Sequence, residues 1–292
     1  MTHAQVAVIG GSGFYQMDGL SDVEELRVET PFGAPSDSLV LGTLDGVRMA
    51  FLPRHGVGHR ILPSELPARA NIWALKQLGV ERIVAVSAVG SLREEIAPLH
   101  LVVPDQVIDR TRGRPSTFFG RGLVAHISFE EPFCRVMSGQ LAHAARTQSA
   151  TVHHGGTYVT MEGPAFSTKA ESNLYRSWNA DIIGMTALPE AKLAREAEIC
   201  YATLALVTDY DTWHDTHDTV SADLIIANLN RNVDNAKRVV HAAVRELPPE
   251  RDCPCATALA NALVTPPELV PDDIKRDLAP LIGRYMSVGA VS

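Results

Sequence analysis

Residues 66–89 read LPARANIWALKQLGVERIVAVSAV and join a helix pattern directly to a strand pattern. Apolar residues recur at helical spacing over residues 66–78, and Gly79 follows as a typical helix end. Residues 82–89 form a continuous apolar run, which is typical of a strand buried on both faces. Because residues 47–53 (VRMAFLP) predict another strand, this part of the chain predicts a strand–helix–strand unit.

The same alternation continues on both sides of this unit. Residues 5–9 (QVAVI) predict a buried strand that leads into a tight glycine loop. The remaining predicted strands are 101–107, 157–160, 181–184 and 200–208, and the remaining predicted helices are 131–147, 168–178, 189–197 and 220–246. Strands that alternate with helices predict an α/β fold with a mixed, mostly parallel central sheet flanked by helices.

The composition changes near the carboxyl end. Residues 1–246 carry the α/β pattern, whereas residues 247–292 contain the proline-rich segments PPERDCPC and TPPELVP. We therefore expect one domain over 1–246 and an irregular arm with a short helix over 247–292, packed on that domain or extending it.

Length, charge and hydropathy exclude several classes of protein. A chain of 292 residues with 46% hydrophobic content is large enough to bury a core without disulfides or metal ions to stabilise it. The net charge is −8 and no lysine or arginine block stands out, so we expect no nucleic-acid partner. The sequence lacks an apolar run of ~20 residues and a typical signal peptide, so we expect no membrane span and a cytoplasmic protein.

The first glycine loop could serve a nucleotide or an anion. Gly11-Ser12-Gly13 begins a dinucleotide-binding fingerprint, but Gln16 stands where the third glycine is needed, and no P-loop lysine follows. A nicotinamide-dependent oxidoreductase is therefore disfavoured. The loop is consistent with a backbone nest for an anion such as phosphate, aided by the Ser12 hydroxyl, or with a plain turn.

Polar residues follow several other predicted strands. Arg54 and His55 end the second strand, where arginine could match the oxygens of a phosphate. The strand at 200–208 runs directly into Asp209 and Asp211. Because side chains two apart in an extended segment point the same way, both carboxylates could face one ligand. An aspartate after a strand can instead be a helix cap or a turn former.

Nine ordered motifs then point to a known family. They are IGGSG (9–13), PFGxPSD (31–37), RHG (54–56), NIWALK (71–76), SAVGSLREE (87–95), QxIDRT (106–111), MEGPAFSTKAES (161–172), GMTALPEAKLA (184–194) and TDYDTW (208–213). Over roughly residues 6–245 the chain resembles the 5'-methylthioadenosine phosphorylases, within the trimeric type of purine nucleoside phosphorylase. The resemblance implies a single-domain phosphorylase fold and a metal-free active site.

The resemblance also implies a role for each matching residue. The phosphate site would be formed by Ser12, Arg54, His55, Ser87, Ala88 and Thr186. Phe166 would lie near the purine, and Asp209 and Asp211 would meet N7 and the 6-amino group. Met185 would lie under the ribose, and Ile225 would line the same pocket. His126 of a neighbouring subunit would reach the 5' end. Substrate preference would depend on Ser167 and Ala222. Ala222 is smaller than the valine expected there, which leaves the 5' substituent open.

The implied reaction is phosphorolysis of 5'-methylthioadenosine to adenine and 5-methylthioribose 1-phosphate. Phosphate is a co-substrate, no cofactor is implied, and we expect a homo-oligomer, a trimer or a dimer of trimers. Alternatives are a broader purine nucleoside phosphorylase or a phosphorylase of another 5'-substituted adenosine, such as a halogenated one. A non-catalytic nucleoside-binding module is the alternative from another class.

Cys253-Pro-Cys255 lies outside these motifs, in the arm. Metal binding is disfavoured because two cysteines are too few and no partner lies at ordinary zinc spacing. Hyperstable relatives carry a similar motif, so the resemblance suggests a redox-sensitive stabilising element. Two reduced surface cysteines are the other possibility.

Overall fold

The computed structural model describes residues 3–11, 17–214 and 222–287. Its strands are β1 (Val6–Gly10), β2 (Ser21–Leu26), β3 (Leu39–Leu44), β4 (Val47–Pro53), β5 (Arg82–Ser91), β6 (Leu101–Val103), β7 (Gln106–Arg110), β8 (Val152–His154), β9 (Thr157–Met161), β10 (Ile182–Gly184) and β11 (Cys200–Asp209). Its α-helices are α1 (Ala68–Gln77), α2 (Arg135–Thr147), α3 (Lys169–Ser177), α4 (Ala187–Glu196), α5 (Ala222–Arg245), α6 (Asp272–Asp277) and α7 (Ala279–Ile282). None of the helices in these ranges is long and apolar enough to span a membrane.

All eleven strands belong to one mixed sheet, which confirms the predicted fold class. The main strand order is β2-β3-β4-β1-β5-β10-β9-β7, and β5 branches to β11, which continues through β6 to β8. The pairings β1–β4, β1–β5 and β5–β11 are parallel, so these strands end at one edge of the sheet. A ligand site is expected at that carboxyl edge.

The predicted strand at 101–107 is wrong as a single strand. The structure has β6 and β7 there, separated by Pro104 and Asp105. Proline has no N–H to donate to a ladder, so the chain changes partners: β6 pairs with β11 and β8, whereas β7 pairs with β9.

Three strands were not predicted from the sequence. β2 (SDVEEL) is an edge strand whose residues are almost all exposed, so it lacks the alternation that identifies a strand. β3 and the three-residue β8 were also missed. The other predicted strands and helices lie within a few residues of the observed elements.

The carboxyl-terminal arm contacts the α/β body closely. The Trp73 indole Nε1 donates to the backbone O of Asp277 at 2.9 Å, and Arg82 Nη2 donates to the backbone O of Pro248 at 2.7 Å. Ile274 and Leu281 are buried in the same apolar cluster as the body's central residues. The division at residue 246 stays a prediction, and the arm packs against the predicted domain.

Candidate active site

A cavity of about 440 Å³ lies at the carboxyl edge of the sheet. It lies over the ends of β1, β4, β5 and β11 and is closed on another side by residues of α5. That volume is within the range of small-molecule sites, and it lies where parallel strands of an α/β sheet commonly bind ligands.

The cavity brings together most of the site residues predicted from the sequence. Those that line it are Arg54, His55, Ser87, Ala88, Phe166, Met185, Thr186, Asp209, Asp211 and Ile225. Ser167 is buried beside it, with Oγ 3.7 Å from Sδ of the lining residue Met161. His126 is exposed and is not among the residues that line the cavity. Ser12 and the side chain of Ala222 lie outside the described residues.

Arg54 is held by a buried carboxylate that the sequence did not reveal. Its Nε and Nη2 lie 2.5 and 3.1 Å from the two carboxylate oxygens of Glu190, and both side chains are at most 3% exposed. Burial alone would lower the pKa of Arg54, but the charge and hydrogen bonds of Glu190 raise it above its usual value. The arginine is therefore a fixed, buried cation.

Most of the Arg54 guanidinium is bound inside the protein, and its contact with phosphate stays a prediction. Arg54 also donates to the backbone O of Val86 at 2.9 Å and of Ile9 at 3.3 Å, so four of its five N–H groups are used inside the protein. Glu190 takes the two N–H groups on the Nε–Nη2 edge of the guanidinium, and only one N–H of Arg54 remains for a ligand. Glu190 is 136 residues from Arg54 in sequence, so the spacing of residues does not predict this pair.

His55 is neutral in this cavity. Its Nδ1 lies 2.8 Å from the carbonyl O of Ile61, and its ring stacks on His59 with centroids 4.3 Å apart. Burial lowers the pKa of His55 to about 4, with the neighbouring Arg54 charge acting in the same direction. Because a carbonyl can only accept, the proton lies on Nδ1, and Nε2 is left as an acceptor.

The two aspartates meet for a reason other than the predicted one. β11 ends at Asp209, and Asp211 lies in the following turn with a φ of 51°. Val207 pairs with Val89 of β5 but Asp209 pairs with Gly90, so the strand carries a bulge at Thr208. The bulge, which re-aims a side chain at a strand end, and the turn bring both carboxyl groups to the cavity.

Helix α5 holds this bulge in place. The side-chain amide of Asn228 donates to the backbone O of Thr208 at 2.7 Å, and that of Asn232 donates to the backbone O of Val207 at 3.3 Å. Asn232 is fully buried. Sequence reasoning missed both asparagines because α5 has the ordinary pattern of an amphipathic helix.

Both carboxyl groups favour protonation more than exposed aspartates do. Burial is the main cause that raises the pKa of Asp209, and repulsion from Asp211 adds to it. Burial also raises the pKa of Asp211, although the nearby hydroxyls of Ser172 and Ser167 and the N–H of Thr212 offset part of the effect.

The oxygen atoms of the pair have different partners. Asp209 Oδ1 accepts from the backbone N–H of Asp211 at 2.8 Å, and its Oδ2 lies 2.7 Å from Thr208 Oγ1. Asp211 Oδ2 is buried and has no hydrogen-bond partner among the residues that the structure describes. A buried acceptor of this kind is costly unless a ligand donates to it.

A second arginine connects two loops that border the cavity. Arg114 donates from Nη1 to the backbone O of Met185 at 2.7 Å and from Nη2 to the backbone O of Glu162 at 2.5 Å. Its Nε pairs with the Glu162 carboxylate at 3.1 Å. The carboxylate of Glu162 thus fixes Arg114, and Glu162 is not among the residues that line the cavity.

The interpretation of Cys253 and Cys255 as a pair without further cysteine partners is wrong. The structure places Cys134 and Cys200 beside them, and all four thiols are free. Cys255 is buried and Cys253 is half-buried, so they are not two surface cysteines. No other group of three or more potential metal ligands occurs within residues 3–11, 17–214 and 222–287.

Comparisons with known proteins agree with this geometry. The model of the phosphorylase superfamily matches residues 5–245. The chain is 60% identical to the S-methyl-5'-thioadenosine phosphorylase of Geobacter sulfurreducens, over 96% of this chain and 99% of that protein. The crystal structure of a methylthioadenosine phosphorylase from an antarctic soil metagenomic library has a TM-score of 0.93 at 54% identity, over 96% and 99% of the two chains. An adenosine/methylthioadenosine phosphorylase variant from Schistosoma mansoni in complex with methylthioadenosine has a TM-score of 0.78 at 40% identity, over 83% and 91%.

Proposed function

Because this chain belongs to the phosphorylase superfamily, we propose that it cleaves the N-glycosidic bond of 5'-methylthioadenosine with inorganic phosphate. The products are adenine and 5-methylthioribose 1-phosphate, so the enzyme is a pentosyltransferase. The observation that carries the proposal is one cavity that joins a buried carboxyl pair to a fixed arginine and to Ser87 and Thr186. No cofactor enters the reaction, since phosphate supplies the nucleophile.

The leaving base needs a proton or a strong hydrogen bond. Breaking the purine–ribose bond leaves negative charge on the base and positive charge on the sugar. Thr208 Oγ1 lies 2.7 Å from Asp209 Oδ2 and 3.2 Å from the carbonyl O of Val89, yet a hydroxyl has one hydrogen. If the Thr208 hydroxyl donates its hydrogen to the carbonyl O of Val89, its oxygen can only accept from Asp209, and Asp209 must then be protonated. We assign to Asp209 the role of general acid toward N7 of the purine.

Asp211 then recognises the 6-amino group. Its unpartnered Oδ2 is an acceptor that an exocyclic N–H₂ would satisfy. A 6-oxopurine would present a second acceptor to the same oxygen, which disfavours inosine as a substrate. Phe166 and Met185 supply apolar surface around the nucleoside, and Ile225 lines the same cavity.

Phosphate is bound by several single contacts in this proposal. Arg54 offers its one remaining N–H, and Thr186 and Ser87 offer hydroxyls. His55 Nε2 accepts from a protonated phosphate oxygen, because the ring is neutral. The Ala88 backbone and Ser12 complete the proposed set. Phosphate held at the sugar face opposite the base attacks C1' as the bond to the purine breaks.

Substrate comparison tests this function. We expect phosphate-dependent release of adenine from methylthioadenosine, slower release from adenosine, and little reaction with inosine. The readout is the initial rate for each nucleoside with and without phosphate. A rate for inosine that equals the rate for methylthioadenosine would contradict the assignment of Asp211.

Gly90→Ala is expected to impair the reaction without unfolding the protein. A Cβ on Gly90 would lie 3.0 Å from Asp209 Oδ1 and 3.3 Å from Asp211 Cβ. Displacing catalytic groups by a fraction of an ångström lowers rates, so kcat/KM should fall about tenfold or more. Gly139→Ala, where the structure shows open space, should leave kcat/KM unchanged. Equal kcat/KM for the Gly90 variant and the unmodified enzyme would contradict the placement of the pair.

The active assembly is expected to be a homotrimer or a dimer of trimers in the cytoplasm. His126 is exposed, its backbone N–H donates to the O of Ala262 at 2.9 Å, and it does not line the cavity of its own chain. This position suits a residue that reaches the 5' end of a substrate in a neighbouring subunit. Light scattering at assay concentration should give the mass of a trimer or hexamer; an active monomer would refute the role of His126.

A further inference from the structure

Four cysteines that are far apart in sequence meet at one point of the fold. The Sγ atoms of Cys134, Cys200, Cys253 and Cys255 all lie within 4.8 Å of one another. The sequence contains four cysteines in total, so every cysteine of the chain belongs to this cysteine cluster. The active-site proposal uses none of them.

The spacing of the sulfur atoms fits one tetrahedral metal ion. Four sulfurs at ~2.3 Å from a zinc ion are separated from one another by roughly 3.8 Å. In the cysteine cluster the Sγ atoms of Cys200 and Cys253 are 3.3 Å apart, and no pair exceeds 4.8 Å. Small side-chain adjustments would therefore bring all four thiolates to one ion.

The ligands come from three separate parts of the fold. Cys134 directly precedes helix α2, and Cys200 is the first residue of the buried strand β11. Cys253 and Cys255 lie in the carboxyl-terminal arm, at a short 3-10 turn (Pro254–Thr257). An ion held by all four would fasten the arm to the body.

The surroundings are suited to buried thiolates. Cys134, Cys200 and Cys255 are at most 3% exposed and lie in an apolar cluster that excludes water. Cys134 is the N-cap residue of α2 and makes no side-chain capping hydrogen bond, but its position at the positive end of the helix dipole favours a thiolate. Arg82 pairs with Cys200 in the β5–β11 ladder, so a guanidinium lies on the neighbouring strand.

A second guanidinium lies on the arm side of the cluster. Arg251 is two residues before Cys253 and donates to the backbone O of Glu198 at 2.7 Å. Arg82 and Arg251 each lie 3.6 Å from the half-exposed carboxylate of Glu81, which balances part of their charge. Both guanidinium groups therefore contact the segments that lead into the cysteine cluster.

We propose that the cysteine cluster is a structural Zn²⁺ site that clamps the carboxyl-terminal arm to the sheet. Binding releases four thiol protons to solvent and forms four Zn–S bonds, with no change of oxidation state. Four protein ligands leave no open position, so the ion is structural rather than catalytic. Asp209 lies at the other end of β11, about 30 Å along the strand from Cys200, so the ion is remote from the proposed chemistry.

Metal analysis of the full chain tests the proposal directly. The protein is purified in reductant without a metal-binding tag, and zinc is measured by mass spectrometry. We expect one zinc per chain, and a fall of at least about tenfold in the double variant Cys253→Ser/Cys255→Ser. His241→Ala, which removes an exposed histidine paired with Asp45, should keep the full zinc content.

Thiol counting keeps the test decisive if the double variant does not fold. Unmodified protein denatured in chelator without reductant should yield four free thiols, and a mercurial reagent should displace zinc in proportion to the thiols titrated. Two disulfides, with no free thiols, would overturn the proposal. Four free thiols with no zinc retained after incubation with Zn²⁺ would overturn it as well, as would iron in place of zinc.

The effect of zinc removal on the melting temperature tests this structural role independently of the proposed function. Removing zinc should lower the melting temperature by about 5 °C or more, because an ion that binds the folded state stabilises it. Phosphorolysis at ordinary temperature should be unchanged in protein that stays folded and assembled. An unchanged melting temperature after complete zinc removal would contradict the clamp, and this readout does not depend on the substrate.

Discussion

Asp209→Asn lowers kcat for methylthioadenosine by about two to four orders of magnitude, the range expected for loss of a general acid. An amide of the same shape keeps the contacts with Thr208 and the Asp211 N–H but removes the proton that the leaving purine takes. Inosine should lose a similar factor, because its purine has the same N7 and takes the same proton. The measurement is kcat for both nucleosides in the variant and the unmodified enzyme.

Asp211→Asn is the matched control for this prediction. It changes the neighbouring carboxyl group, whose proposed role is recognition of the 6-amino group, so it should affect KM more than Asp209→Asn does. An unchanged kcat for methylthioadenosine in the Asp209 variant would contradict our assignment of its proton to N7.

Glu190→Gln is expected to destabilise the fold by about 3–5 kcal/mol, the cost of leaving a buried charge without its partner. Arg54 and Glu190 are both almost fully buried, and Tyr201 Oη also donates to Glu190 at 3.0 Å. The neutral amide keeps the volume but leaves the Arg54 cation without a counter-ion. Urea unfolding at fixed chain concentration measures the free energy of unfolding.

Glu24→Gln gives the comparison at the surface. Glu24 pairs with Arg48 across the edge of the sheet, and its side chain is 50% exposed. An exposed ion pair contributes at most about 1 kcal/mol, so this variant should unfold nearly as the unmodified protein does. Equal effects for the Glu190 and Glu24 variants would show that burial does not set the strength of the Arg54 pair.

The parts of the site that the sequence predicted are those carried by strand ends. Arg54, Ser87 and Asp209 each follow or end an apolar run, and parallel strands bring such residues to one edge. Local pattern is enough for this, because strands buried on both faces are continuous apolar runs. The ordered motifs then assigned roles to these positions.

The missed features depend on contacts between distant residues. Glu190 of helix α4 binds the Arg54 guanidinium, and the bulge at Thr208 is held by asparagines of α5. Neither changes the local pattern of polar and apolar residues. The cysteine cluster was missed for the same reason, since Cys200 and Cys253 are 53 residues apart in sequence.

Product analysis by ³¹P NMR tests phosphorolysis most directly. Protein is incubated with methylthioadenosine and inorganic phosphate, and the phosphate signals are followed while adenine is measured in the same samples. We predict that inorganic phosphate disappears and a sugar 1-phosphate appears in a one-to-one ratio with adenine. Release of adenine at the same rate without phosphate, or without formation of a phosphate ester, would contradict the account by showing that water is the nucleophile.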